Sequence, residues 1–580
     1  MKFTIVYFDW SAAEWRNLQS TSDFSAPHNP LPTSHGRNGH VLSISTEAQR
    51  VERSIIQTIS IFETTMNGHF DAKLLFFLLG MVFLIISIFF HVKHKVQPAY
   101  IFMVMSAFFL FLFGAFLLDF LCIWDERFHA LVGKNTMYDP LKPTLYNDPV
   151  VLMKYDTWDK AHVWLHKQPM FLWQIALSFR LFGVNVYALR LPSAILSTLL
   201  VMAGYRTASI IGNKRMGYYT GLLILSSQYL ILLVSGYAQL DHNDVTFLAY
   251  ISFSIWAWVE YERSKNKWWI IAIGIFSGAA VLTKWLVGLL VYLIWGLYTF
   301  FKHKFDVKKY GDLFLAWLVT VLTVLPWQLF ILSAYPVEAK MEHQYNFRHL
   351  WVSLEGHGGP FTYHFDKIGW IFGPFFPVLV IPAFIVLYTR MKDKKMFFAL
   401  IVSVLFVFLF FSFSATKMPS FTLVVALPVF MAAASLADAL LEQWRRLSMP
   451  GLIKNAATGF ALLALVFWRI DVSHLQKKHG FLGAPDECSQ LLAKNTDIFK
   501  NLRLPDNAVL FNLKGMHYVE AMFYTGLPAY NFLPDEKQYL DLKSKHRIIA
   551  IFNGPNDSIP PYLLNDPQLI LLNQEMKRCD

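Results

Sequence analysis

The sequence predicts a mainly α, polytopic bundle of transmembrane helices with a small α/β extracytoplasmic domain at its C-terminal end. Three observations predict it. Of the 580 residues, 55% are hydrophobic and only 16% are charged, proportions for which lipid is the main solvent. Apolar runs of about 20 residues recur, each long enough to cross a hydrocarbon core of ~30 Å. The Lys and Arg residues behind the net charge of +11 sit in short clusters between these runs. That is the positive-inside pattern, and it provides no continuous basic surface for nucleic acid.

Residues 1–70 are polar and lack a signal-peptide apolar core, so they read as a disordered extension or as an over-called start with the initiator near Met66. Residues 71–470 form the membrane domain. Spans are expected near 73–91, 99–121, 189–211, 216–236, 245–261, 312–333, 368–389, 396–414, 420–441 and 452–470. Basic clusters at His91 to Lys95, Lys214-Arg215, Glu262 to Lys267, Lys302 to Lys309, Arg390 to Lys395 and Arg445-Arg446 all fall on the cytoplasmic side under one condition. The stretch 268–301 must cross twice, as two short helices broken around Lys284, which makes about twelve spans in all. The segments 122–188, 334–367 and 471–580 then lie outside. The last alternates apolar runs such as Ala508 to Phe511 and Ile548 to Phe552 with helix-like stretches, the pattern of a small α/β domain. Of the three cysteines, Cys488 and Cys579 share that segment and are placed to pair if it lies in an oxidising compartment.

The charged residues on the outer face are the candidates for chemistry. Asp125-Glu126 stands where the second span leaves the membrane, and Asp241-His242-Asn243-Asp244 stands at the outer end of another. Each is either a polar helix cap or part of a general-base pair. Lys167, Arg190 and Lys417 run against the charge bias of that face, so each is either snorkelling to headgroups or holding an anion such as a lipid-linked phosphate. Lys284 interrupts an apolar stretch and must neutralise a buried carboxylate or line a polar cavity. The segment 334–367 gathers Glu342, His343, His357, Tyr363 and His364 among aromatic rings and glycines, which suits a sugar- or acceptor-binding loop. Its histidine spacings fit no established metal motif; a divalent metal stays open, and no cofactor is assigned. No P-loop, dinucleotide fingerprint or Gly-x-Ser-x-Gly elbow occurs, which argues against a soluble nucleotide-sugar site.

Asp125-Glu126, His166-Lys167-Gln168-Pro169, Phe182-Gly183-Val184-Asn185, Arg190-Leu191-Pro192-Ser193-Ala194, Leu282-Thr283-Lys284 and Lys417-Met418-Pro419, in this order, resemble the dolichyl-phosphate-mannose protein mannosyltransferase-like family, which includes the bacterial lipid A aminoarabinose transferases. The resemblance runs from about 122 to 440 and implies the GT-C fold. It implies that Asp125 is the catalytic carboxylate and that Lys167 contacts the carrier phosphate, although Gln168 replaces the first Pro and Met170 the Leu of a Lys-Pro-Pro-Leu-like motif. The family's later Asp maps to Asp241 or Asp244, and Tyr237 stands near its usual Arg. Glu342-His343, His357 and Pro360-Phe361 look like its external Glu-His-Phe and Pro-Phe segments. Two spans precede the acidic pair where the family usually has one.

The function implied is hexosyl or pentosyl transfer from a polyprenyl-phosphate-linked sugar to a lipid, glycan or protein acceptor, with inversion. The expected location is the bacterial inner membrane, with the active site and C-terminal domain facing the periplasm. A polymerase or ligase of lipid-linked glycans is the nearer rival. A secondary transporter is the more distant one, since no internal repeat is visible.

Overall fold

The computed structural model describes residues 72–580 except 152, 154–156, 238–241, 556, 575 and 577–580; the reading of 1–70, Asp241 and Cys579 therefore lie outside the described residues. Helices α1 (Ala72–Val92) and α2 (Val96–Ala115) form a hairpin around the basic turn at 93–95. Outside them follow the short α3 (Asp125–Thr136) and α4 (Pro169–Phe182), the latter opened by a proline at its first position and closed by Gly183 at φ 80°. The chain then re-enters the bundle as α5 (Val186–Ile211), capped by the Asn185 side chain.

Helices α6 (Lys214–Leu225) and α7 (Gln228–Val234) are bent by 49° at Ser226-Ser227, and α8 (Asn243–Ser264) brings the chain back. Helices α9 (Trp268–Lys284) and α10 (Leu290–His303) are separated by a tight 3₁₀ turn, Trp285–Leu289. The hydroxyl of Ser277 donates to the carbonyl of Gly288 at 2.8 Å, whereas a straight helix would hold residues eleven apart ~16 Å from each other. The chain therefore doubles back at Lys284, as expected from the sequence. Then come α11 (Gly311–Ala334), the external α12 (Pro336–Arg348), and α13 (Phe376–Arg390), α14 (Lys394–Phe413), α15 (Ala426–Arg446) and α16 (Gly451–Arg469).

Among the described residues, eight helices are long and apolar enough to cross a membrane, or up to ten with the bent pairs counted. That is fewer than the twelve expected. The whole 268–303 stretch passes the length test as one candidate although it is folded in two, and α8 carries charge at both ends. The chain is a multi-pass membrane protein. Its basic turns gather at one end. Asp438 of α15 accepts from Asn213 at 2.9 Å, from Arg215 at 2.7 Å and from Arg390 at 2.7 Å. Tyr298 donates to Asp393 at 2.9 Å, and Lys267 pairs with Asp312.

At the opposite end sits the C-terminal domain, a three-stranded parallel sheet of order β1-β2-β3: Ala508–Phe511, Ile548–Phe552 and Ile570–Leu572. Ala508 pairs with Ile548, and Ala550 with Ile570. Parallel strands need helical crossovers, here α18 (His517–Thr525) and α19 (Glu536–Ser544), with α17 (Glu487–Asn501) before the first strand. The external segment after α2 has no separate core. Its Phe128, Tyr146 and Trp164 join Phe511, Tyr518, Phe523, Tyr530 and Phe552 in one buried cluster, and Tyr146 stacks on Tyr530 at 5.3 Å. Bundle and domain belong to one compact unit, Asp71–Ser353 and His357–Cys579. Cys488 is held in a disulfide.

Two buried ion pairs fix the start of α3. Arg190, fully buried, donates from Nε to Glu126 at 2.7 Å and from Nη2 at 3.0 Å, and its remaining N–H groups go to the carbonyls of Leu118, Phe120 and Ala115. Arg127, the next residue, meets Glu520 of α18 at 2.8 Å, with both side chains sealed from solvent. Burial alone would push the Glu520 carboxyl up, but Arg127 and the neighbouring His517 and Thr496 outweigh it and hold its pKa below the usual value.

Glu520→Gln leaves Arg127 buried without a countercharge, and the expected cost is about 3–5 kcal/mol, read as a lower Tm and faster trypsin cleavage of the C-terminal domain. The double variant Arg127→Met/Glu520→Met recovers most of that loss. Because the Glu520 pKa is depressed on folding, its stabilisation is complete above the unfolded value of ~4.3. It is lost as pH falls through the lower folded value, so the domain loosens in acid and the Gln variant shows less of this dependence. A second outcome concerns Gly236, at φ 67°, where an added Cβ would come within 2.7 Å of all three atoms of the Glu126 carboxyl group. Gly236→Ala is expected to displace Glu126 and sharply reduce the amount of folded protein recovered in detergent.

Candidate active site

Asp125 occupies the first position of α3, where the helix dipole favours a carboxylate. It is nearly buried, and Lys167 approaches it at 3.4 Å. Lys167 is carried by the extended segment between the 3₁₀ turn Trp158–Lys160 and α4, and an isolated bridge between Thr144 and Val163 holds that segment against its own loop. The preceding residue, His166, meets the buried Glu342 of α12 at 3.3 Å. Its ring stacks on Trp158 at 4.5 Å, and Tyr345 stands 5.7 Å away. The neighbouring residues His166 and Lys167 thus reach two acids far away in sequence, Glu342 and Asp125.

A second ion pair joins the start of α8 to the end of α9. Asp244, in the first turn of α8, bonds Lys284 at the end of α9; the Asp244 side chain is 5% exposed and that of Lys284 24%. Lys284 therefore neutralises a buried carboxylate and keeps an open side. Its ammonium also lies 5.7 Å from the Phe421 ring. The two pairs are linked by contacts between their neighbours. The rings of His129 and His242 are 5.7 Å apart, Trp285 is 5.0 Å from His343, and Leu165, Leu282 and Ala339 share one small core. Burial lowers the His343 pKa against the pull of Glu342, so this ring is neutral at pH 7.

Other candidates stand elsewhere. Glu126 and Arg190, expected as an acid and a phosphate ligand, are spent on each other: every N–H of Arg190 is taken, and Glu126 also accepts the Cys122 backbone N–H at 2.6 Å. They hold the site and do not face it. Lys417 is buried and gives two of its three donors to the carbonyls of Ser412 at 2.8 Å and Ser414 at 2.5 Å, and burial lowers its pKa. His357 contributes its carbonyl, which accepts the Lys417 backbone N–H at 2.8 Å. Tyr363 lies beside Gly359, itself next to the Lys417 chain. His364, next to Tyr363, stands 6.4 Å from the Phe421 ring that Lys284 approaches. Among the described residues no group of three or more His, Cys, Asp and Glu is placed to hold a metal ion. Arg127, Trp124, Trp158, Trp285 and Phe421 were not singled out from the sequence, where a lone aromatic or a third charge after an acidic pair carries no distinguishing pattern.

The family model for dolichyl-phosphate-mannose-protein mannosyltransferase matches residues 166–327, which include Lys167, Asp244 and Lys284. Among curated proteins, undecaprenyl phosphate-alpha-4-amino-4-deoxy-L-arabinose arabinosyl transferase 1 of Pseudomonas fluorescens Pf-5 is 27% identical over 311 residues, 51% of this chain and 55% of that protein. The corresponding transferase of Pseudomonas savastanoi pv. phaseolicola is 24% identical over 377 residues, 61% of this chain and 66% of its own. The chain thus spans little more than half the length of the curated relatives it matches. Among solved structures, ArnT from Cupriavidus metallidurans bound to undecaprenyl phosphate superposes with a TM-score of 0.57 at 15% identity, over 78% of this chain and 89% of that one. The Archaeoglobus fulgidus oligosaccharyltransferase tethered to an acceptor peptide gives 0.51 at 14%, over 76% and 64%. In its matched segment and in its architecture the chain bears out the resemblance that its short motifs carry, and its fold is that of the GT-C membrane glycosyltransferases.

Proposed function

We propose that this chain is a membrane glycosyltransferase that moves a sugar from a polyprenyl-phosphate carrier to the hydroxyl of a lipid, glycan or protein acceptor, with inversion. The observation that supports it most is the Asp125–Lys167 pair, at the end of the bundle away from the basic turns. By the positive-inside rule those turns face the cytoplasm, so the site opens on the other side of the inner membrane. A disulfide at Cys488 agrees with an oxidising compartment there. A carrier of this kind presents its anomeric carbon and phosphate at the interface, where an acid beside cations is suited to act on them.

In this reading Asp125 accepts the proton of the acceptor hydroxyl while that oxygen bonds to the anomeric carbon. The bond from this carbon to the phosphate oxygen breaks on the opposite face, and Lys167 and Lys284 hold the charge that departs with the carrier. Asp244 holds Lys284 in place. The carrier chain has a path as well. From Lys284 the line runs over Phe421 to His364, and its neighbour Phe365 opens an apolar cavity of about 780 Å³ lined by Phe372, Phe384, Tyr388, Phe397 and Phe408. That size and lining suit isoprene units. The names of the curated relatives and the ligand of the Cupriavidus structure support undecaprenyl phosphate as the carrier class.

Reconstituted vesicles supplied with lipid-linked sugars test this. Asp125→Asn should lower turnover about 10²–10⁴-fold with carrier binding kept; wild-type turnover in that variant overturns the assignment, and comparing single-sugar with oligosaccharide carriers separates a transferase from a glycan ligase. Lys167→Met should weaken undecaprenyl phosphate binding in well-folded protein. Arg190→Met should instead reduce the amount of folded protein, because it strands Glu126 in the bundle.

A further inference from the structure

Two tryptophans flank the charged residues of the site, and both have backbones that normally require glycine. Trp124, immediately before Asp125, has φ 74° and ψ −131°; Trp285, immediately after Lys284, has φ 65° and ψ −159°. Neither lies in the small left-handed region that tolerates a side chain, and bulky residues are rarely found so far outside it. Lys304 shares this conformation, but in an exposed turn at the other end of the bundle. Glycine would make both bends without strain. Retention of the largest side chain at each suggests that the ring itself has a use.

Ring contacts lead from each tryptophan towards the same stretch of α12. Trp124 lies 6.3 Å from Trp158, which stacks on His166, and His166 meets Glu342 at 3.3 Å. Trp285 lies 5.0 Å from His343, the residue after Glu342. Both tryptophans are part-exposed, whereas Trp158 beside Trp124 is buried. Both rings are thus tied to the Glu342-His343 pair of α12, Trp285 directly and Trp124 through Trp158 and His166, and each adjoins in sequence a member of one of the two ion pairs.

Resting on the function proposed above, we propose that Trp124 and Trp285 form the sugar subsite. Their rings pack on the apolar C–H face of the donor pyranose, Glu342 and His343 bond its hydroxyls, and the lysines take only the phosphate. The strained bends hold each ring at a fixed distance from the charged group beside it. The donor is thus read in two parts.

The test uses the full-length protein in nanodiscs, with undecaprenyl phosphate alone and with undecaprenyl phosphate bearing each of a panel of hexoses, pentoses and aminopentoses. Wild type should bind at least one sugar-bearing carrier more tightly than the bare one. Trp124→Leu and Trp285→Leu should lose about tenfold of that preference while binding bare undecaprenyl phosphate as wild type does, and Trp→Phe should keep part of it. Trp124→Gly and Trp285→Gly should lose the preference with a Tm no lower than wild type, because glycine relieves the backbone. If the Leu and Gly variants lose bare-carrier binding and Tm together, the rings are structural supports and the proposal fails. It also fails if wild type shows no preference for any sugar, or if the variants keep it. Absence of bare undecaprenyl phosphate binding in wild type would instead overturn the underlying reading of function.

Discussion

A carboxylate can leave water only with its countercharge, and the start of α3 depends on that constraint three times in succession. Asp125, Glu126 and Arg127 point to three different elements: Lys167 on the external segment, Arg190 inside the bundle and Glu520 in the C-terminal domain. Removing one partner of such a pair is far more costly than never having built it. The helix is therefore held from within the bundle and from the domain above it, and the orientation of Asp125 follows from both. The groups in between are also committed: the three carbonyls that Arg190 binds belong to the last residue of α2 and to the turn leading from it to α3. The path of the chain and the placing of the acid are thus one arrangement.

The same logic orders the opposite end. Asp438, almost fully buried, gathers Asn213, Arg215 and Arg390, and thereby ties α6, α13 and α15 together. Cations that orient the protein in the bilayer also close the bundle there. Charge is thus segregated into a structural network at one end and the candidate site at the other, and the two differ in saturation. Asp438 accepts three strong hydrogen bonds, while Lys284 and Lys167 keep exposed sides. That difference in remaining bonding capacity separates a clamp from a site.

Much of this was legible in the sequence, because hydropathy and charge act locally. The apolar runs, the break at Lys284, the alternating pattern of 471–580 and the acids at the ends of helices all follow from periods of a few residues. What was not legible depends on partners hundreds of positions away. Arg190 reads as a cation out of place, and only the approach of Glu126 shows that it is paired. Nothing near residue 520 announces Arg127, 393 positions upstream. The hydropathy test finds fewer spans than the sequence reading expects, since it counts the folded 268–303 stretch once and passes over α8, which is shielded by neighbours and need not be apolar along its whole length.

The shared core of the external segment and the C-terminal domain bears on how such a site is held. Trp158, which supports His166, packs with Phe128 in the same cluster as Tyr518, Val509 and Phe552. The loop bearing Lys167 is thus stacked on a wall whose far side is the domain's sheet, and a loop so backed spends little entropy when a ligand arrives. A membrane bundle by itself offers few rigid groups above the interface, where the proposed lipid-linked donor would be met. The domain provides that rigidity from above, as the Glu126–Arg190 pair does from below, and the candidate site residues Asp125 and Lys167 lie between the two.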